Sequence, residues 1–324
     1  MYCGENLYMS LAALAIVLVL ATNAFGHHQP EPIPRDTGSD LLWKKLETRV
    51  REIADRFDGV MGVAILDLTD GRSILCNADR VFPTASSIKI AVLLELYRQD
   101  QETRSGAKRT AKLDDTYTFD PKDLVEDSRI MAGLTGGVTH VTNRDLAQFM
   151  VAVSDNAAAN ILIERVGKDN VNATLRGLGL SKTMLRRKMI DIAAAQRGDE
   201  NVATPQEMAR LLEAIYKQKV LSKEATAAFI KQLSTLKQSY IPRLLPESVQ
   251  VANKPGELEA VRTDSGIVFA ANRPFAISVM TAYDRDERAA ERVISEVALR
   301  AYRYFEIRGK VSEYGRVLPV EEKR

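Results

Sequence analysis

A serine and a lysine stand three residues apart in Phe82-Pro-Thr-Ala-Ser86-Ser-Ile-Lys89, directly ahead of the apolar run Ile90 to Leu96. The run predicts a buried helix, and at its first turn positions i and i+3 share one face within contact distance. A serine hydroxyl is inert at its own pKa and needs a neighbour that takes its proton. A lysine kept partly neutral by burial and by nearby positive charge can do so, while a helix N-terminus favours developing negative charge. Taken alone the pattern is weak, because Ser-x-x-Lys occurs at Ser86/Lys89, Ser105/Lys108 and Ser234/Lys237, and the last two lie in polar stretches that read as solvated surface. Two more segments single out the first. Ser154-Asp155-Asn156 follows Ser86 by 68 residues, and Lys254-Pro255-Gly256 comes another 100 residues on. A helix cap explains the former by itself and a turn the latter, but in this order they read together as one site for a serine nucleophile.

The elements that must position these residues are legible. Leu42, Leu46, Val50 and Ile53 give a helix from about Asp40 one apolar face. Gly59 to Leu68 is apolar and β-branched, and Asp70-Gly71 joins it to Arg72 to Cys76, the signal for a hairpin with a tight primed turn. From Thr84 to about Lys237 the chain reads helical. Thr142-Asn-Arg-Asp145 is a capping box, and Thr204-Pro205-Gln-Glu207 places an N-cap before Pro at the first helical position. Strand patterns return at Val249 to Asn253, Gly266 to Ala271 and Phe275 to Tyr283, and the helix Arg285 to Tyr304 closes the fold. A two-stranded hairpin alone is marginal, so the strands from both ends share one sheet. The expected class is α/β plus all-α: a five-stranded antiparallel sheet flanked by helices, built from residues 40–83 and 238–305, with a helical lobe (84–237) inserted and a cleft between them.

With 324 residues, 45% hydrophobic and 27% charged, the chain buries a full core unaided. The balance of 45 Lys+Arg against 43 Asp+Glu has no like-charge block to grip a phosphate backbone, which argues against nucleic acid. Leu11 to Ala21 is an unbroken apolar run of eleven residues, too short to span a bilayer. It reads as a signal peptide over residues 1–26, although Met1 to Tyr8 holds Glu5 and no base. A Pro-rich leader (27–39), a polar tail (306–324), export to the periplasm or medium, no membrane span after cleavage and a monomer are expected. Cys76 alone survives that cleavage and reads as a small buried residue. Of His27, His28 and His140, two fall in the leader, so no metal or other cofactor is expected.

Across residues 40 to 305 the chain resembles the class A serine β-lactamases and related penicillin-binding proteins, whose signatures are S-x-x-K, S-D-N and K-T-G. The resemblance rests on Phe82 to Lys89, Ser154-Asp-Asn-Ala-Ala-Ala-Asn160, Thr204-Pro205 and Lys254-x-Gly256. It implies the β-lactamase/transpeptidase-like fold and a covalent mechanism on a β-lactam or cell-wall peptide. Ser86 attacks the lactam carbonyl, Lys89 moves protons, Ser154 relays one to the ring nitrogen and Asn156 holds the substrate's side-chain amide. Lys254 supplies positive charge beside the substrate carboxylate, and the backbone N–H groups of Ser86 and Glu257 hold the oxyanion.

Two departures are visible. Family members with fast turnover carry a deacylating glutamate in an E-x-x-L-N context, and here Met189 and Ala193 stand at the glutamate and asparagine positions. Asp191 is the nearest carboxylate, either a base on a reshaped loop or an ion-pair partner of Arg186 or Arg187. Arg187 could instead pair with Asp199 or Glu200 across the loop's neck. Pro255 replaces Thr or Ser, removing a hydroxyl and an N–H, and requires an edge strand. Arg262 is either a substitute carboxylate ligand or a surface arginine, with Thr263 a weaker source of the hydroxyl. Three functions follow: a β-lactamase, a penicillin-binding-type protein or cell-wall peptidase that deacylates slowly, and a non-catalytic binding or sensor domain.

Overall fold

The structure, a computed structural model of the chain, describes residues 38–108 and 111–317. The signal-peptide and leader expectations and the last residues of the tail lie outside them. Helix α1 (Gly38–Arg56) leads into β1 (Val60–Asp67), β2 (Ser73–Cys76) and β3 (Phe82–Pro83), and a 3₁₀ turn, Ala85–Ile88, runs into α2 (Lys89–Arg104). The middle of the chain contributes β4 (Thr116–Thr118), β5 (His140–Thr142), α3 (Asn143–Ala152), α4 (Asn156–Val166), α5 (Lys168–Gly177), α6 (Ile192–Gln196), β6 (Val202–Ala203), α7 (Pro205–Tyr216) and α8 (Lys223–Leu233). Then follow β7 (Val251–Leu258), β8 (Val261–Val268), β9 (Phe275–Ala282) and α9 (Glu287–Arg308).

The strands from the two ends do share a sheet, antiparallel throughout, in the order β2-β1-β9-β8-β7. Side-chain alternation divides its residues between two cores. Val63, Ile65, Phe275, Ile277 and Val279 face α1 and α9, where Trp43 meets Tyr304 and Phe305 edge-on. The opposite parity, including Ala252, Ile267 and Met280, belongs to the core shared with the helical region around α2. From Ile90 to Leu96 α2 is buried on every side, as its unbroken apolar run requires.

Several boundaries differ from expectation. The buried face of α1 is Trp43, Leu46, Val50 and Ala54, while Leu42 is exposed: the indole, the largest apolar surface in the helix, sets the rotation. The hairpin closes through Leu68 to Gly71, since Asp67 N–H donates to the Arg72 carbonyl at 2.9 Å. Asp67 Oδ1 caps the inside of this turn at Thr69 N–H (2.8 Å), which favours the longer loop over a two-residue primed turn. The helical region also contains two short ribbons, β3 with β6 and β4 with β5. The near part of the tail is attached, because α9 extends to the buried Arg308, which pairs with Glu313 at 2.9 Å. Both capping predictions hold: Thr142 and Asp145 form the reciprocal box, and Thr204 caps α7 at Glu207 N–H. Strand β7 runs on through Lys254-Pro-Gly, and as the sheet's outer strand it tolerates Pro255.

Candidate active site

Ser86, half-buried, lies in the 3₁₀ turn ahead of α2 and opens onto a cleft of about 570 Å³ between the helical region and β7. The turn is held from below. Thr84 N–H donates to the Asn201 carbonyl (2.9 Å), and the Thr84 carbonyl accepts from Ser87 Oγ (2.7 Å) and Thr263 Oγ1 (3.0 Å). β7 approaches this turn closely: a Cβ on Gly256 would stand 2.7 Å from Ser86 N and from the Thr84 carbonyl oxygen. Only glycine permits that approach. Ala85, Ser154 and Ile190 all line the cleft with left-handed φ values of 46°, 60° and 61°, a conformation costing a non-glycine residue about 1–3 kcal/mol.

Ser154 Oγ is the hub. It donates to Ser86 Oγ at 2.9 Å and accepts from Lys89 Nζ at 3.0 Å and Lys254 Nζ at 3.1 Å. A hydroxyl has one proton and two lone pairs, and all are used. Residues 68 and 100 positions apart thus meet on one oxygen. Lys89 Nζ sends its other bonds to the Ser154 carbonyl and Asn156 Oδ1, both 2.8 Å, so its link to Ser86 runs through Ser154 rather than directly. Asn156 Nδ2 donates to the Glu126 carbonyl at 3.1 Å, so this side chain orients Lys89. Asp155 is a scaffold residue: it caps α4 at Ala158 N–H and accepts from Ile130 and Met131 N–H, fixing the loop that presents Ser154.

Both lysines are almost wholly buried. Burial, and then the neighbouring Lys254 charge, hold the Lys89 ammonium well below its ordinary pKa, which leaves the amine poised to accept a proton. Lys254, which also donates to the Pro255 carbonyl at 3.0 Å, is pushed down to about 7 by burial and next by Lys237.

Two expected residues, Asp191 and Arg262, stand elsewhere, and a third, Thr263, is already engaged. The Asp191 carboxylate accepts from Ala194 N–H at 3.0 Å as the N-cap of α6, and neither Arg186 nor Arg187 pairs with it. Asp191 is exposed and does not line the cleft. Arg262 lies on the opposite face of β8 from Thr263, packed against α9, where it reaches Glu287 (2.5 Å) and Glu291 (3.7 Å). Strand alternation puts it behind the sheet. Thr263 has the right parity, but its hydroxyl is committed to Thr84. Arg187 pairs with Glu200 at 2.7 Å across the loop neck, and Asn201 ties the backbone of Arg186 and Arg187.

Met189 faces the cleft where the resemblance expects a glutamate. Asn160 clamps its backbone on both sides, accepting from Met189 N–H (2.7 Å) and donating to its carbonyl (3.1 Å). Lys237, read from sequence as solvated surface, lines the same cleft, with its amine on the Leu233 carbonyl at 2.8 Å. The Ser-x-x-Lys spacing marked it, but nothing local shows that the chain after α8 returns to β7.

The five-stranded sheet, its helical insertion and the serine between them define the class as the β-lactamase and penicillin-binding fold. An ancestral class A β-lactamase structure superposes with a TM-score of 0.73 at 27% identity, covering 80% of this chain and 100% of that one. The particular family follows from sequence: residues 45–305 match the model described as Beta-lactamase enzyme family, and the chain belongs to it. It is similar to Beta-lactamase SME-1 of Serratia marcescens, 25% identical over 89% of this chain and 94% of that protein. It is also similar to an imipenem-hydrolyzing β-lactamase of Enterobacter cloacae, 28% identical over 77% and 86% respectively.

Proposed function

We propose that the protein is an exported serine hydrolase that opens the amide of β-lactams through an acyl-enzyme on Ser86, with deacylation as its slow step. The observation that carries the reading is the shared Ser154 oxygen, within 3.1 Å of the nucleophile and of both lysines. With Lys89 neutral, the bond directions reverse: the Ser86 proton passes to Ser154 Oγ as the Ser154 proton passes to Lys89. Ser86 Oγ bonds to the lactam carbonyl carbon, the C–N bond breaks, and the ring nitrogen takes a proton back through Ser154. The Ser86 and Glu257 N–H groups hold the oxyanion, and Gly256 is what lets β7 come close enough.

Completing the cycle requires a water activated at the acyl carbonyl. Met189 presents a thioether at that wall of the cleft, and Asp191 is a helix cap. These two observations favour a penicillin-binding-type outcome, rapid acylation with slow release, over fast turnover. Mixing the protein with a chromogenic cephalosporin tests both steps. We expect a burst of one equivalent, a matching mass increase absent in Ser86→Ala, and a slow steady state. No covalent adduct with any β-lactam would leave a binding or sensing role instead.

A further inference from the structure

We propose that Lys237 binds the carboxylate of the substrate, acting beside Lys254 in place of the hydroxyl that Pro255 cannot supply. The inference rests on the β-lactam reading above and names the charge that reading requires. Among the described charged groups lining the cleft, Arg187 is paired with Glu200, Arg129 stands 4.0 Å from Asp127, and the exposed Glu257 accepts from the Tyr240 hydroxyl. Lys237 and Lys254 remain, and among the described residues no carboxylate lies within ion-pair distance of either. Asp264, buried opposite Pro255, acts on both amines through space, but its oxygens are held by Tyr240 N–H, Ile241 N–H and Asn253 Nδ2 and make no contact with either. The other donors that could take a carboxylate are spent: Thr263 on Thr84, and Arg262 behind the sheet on Glu287 and Glu291.

Lys237 is placed for the task. Its amine is anchored on the Leu233 carbonyl at the end of α8, its stem is half-buried, and its neighbour Leu236 stands at the rim, 95% exposed. Burial pushes its pKa down to about 8, and its charge is the largest acting on Lys254. Two ammonium groups facing one space, with Asp264 acting on both only from a distance and no carboxylate in contact with either, are each costly, and an anion between them relieves both. The ligand chemistry is a carboxylate adjoining the scissile amide, as in a penam or cephem acid or the C-terminus of an acyl-D-alanyl-D-alanine peptide.

The test compares acylation by benzylpenicillin and by its methyl ester in the full-length protein and in Lys237→Met and Lys237→Arg. Lys237→Met should lower the second-order acylation constant for the acid by about 10–100-fold, the range for losing a charge-assisted hydrogen bond. The loss should appear in the binding constant and not in the maximal rate. The ester should be acylated equally by wild type and variant, which also shows that the variant is folded, and Lys237→Arg should restore the acid within a few fold. An equal loss for acid and ester, or no loss for the acid, overturns the proposal. A wild type acylated by neither compound overturns the β-lactam reading and this one together. The same comparison with the D-alanyl peptide and its C-terminal amide shows which source of carboxylate depends on Lys237.

Discussion

Met189→Glu should convert a slow acyl-enzyme into a turning-over one. The backbone at this position is fixed by Asn160 through bonds of 2.7 and 3.1 Å, independently of the side chain. Glutamate matches methionine in reach, so its carboxylate would occupy the space now filled by the thioether. Met189 is 7% exposed, and burial raises a carboxyl pKa, which suits a base working near neutral pH. A positioned general base contributes about 10²–10⁴-fold. Ala193 offers the water no second partner, so the gain should fall at the low end, roughly 10²-fold in deacylation. The assay is intact-mass decay of the penicilloyl adduct after removal of excess penicillin, alongside the burst amplitude on a chromogenic cephalosporin. Acylation should change little. An adduct that decays within threefold of the wild-type rate, in a variant that still acylates fully, would refute the idea that this wall is where water must be activated.

Gly256→Ala sets a methyl group 2.7 Å from Ser86 N and should displace β7; loss of one oxyanion donor costs about 10²–10³-fold, read as acylation rate with the melting temperature as a fold control. Asp191→Ala removes the cap of α6 and should lower stability by about 1 kcal/mol, seen in denaturant melts, while the rate of acyl loss stays unchanged. The pH profile of acylation should be bell-shaped for carboxylate substrates. The depressed Lys89 supplies the acid limb, since it must be neutral to accept a proton. Lys254, with its pKa near 7, and Lys237, with its pKa near 8, are charged below those values and neutral above them, so binding of the acid weakens as pH rises from 7 through 8. A methyl ester should lack this alkaline fall.

How far the sequence could be read depended on whether a residue's role was local. The meeting of Ser86, Lys89, Ser154 and Lys254 was legible because their order and context mark them, and the fold brings them onto one oxygen. Thr142 and Thr204 were read as caps from their own next three residues. Arg262 was misplaced because β8 starts at Val261, earlier than its apolar pattern suggests, so the alternation that sends it behind the sheet went unapplied. Asp191 precedes Ile-Ala-Ala-Ala, itself a helix start, and its cap role follows from that local pattern rather than from its nearness to Met189. Lys237 was passed over because its company is set by where the chain goes after α8, and the strained φ angles at Ala85, Ser154 and Ile190 have no signature in residue type.

Those left-handed residues carry a consequence for how the protein can be hardened. Ala85→Gly relieves the backbone at the residue before Ser86, and on conformational grounds it is an easy stabilising change. It also frees the segment that aims the Ser86 oxygen, so heat tolerance gained there comes with lost reactivity. Position 85 is therefore one where stability and reactivity should trade against each other.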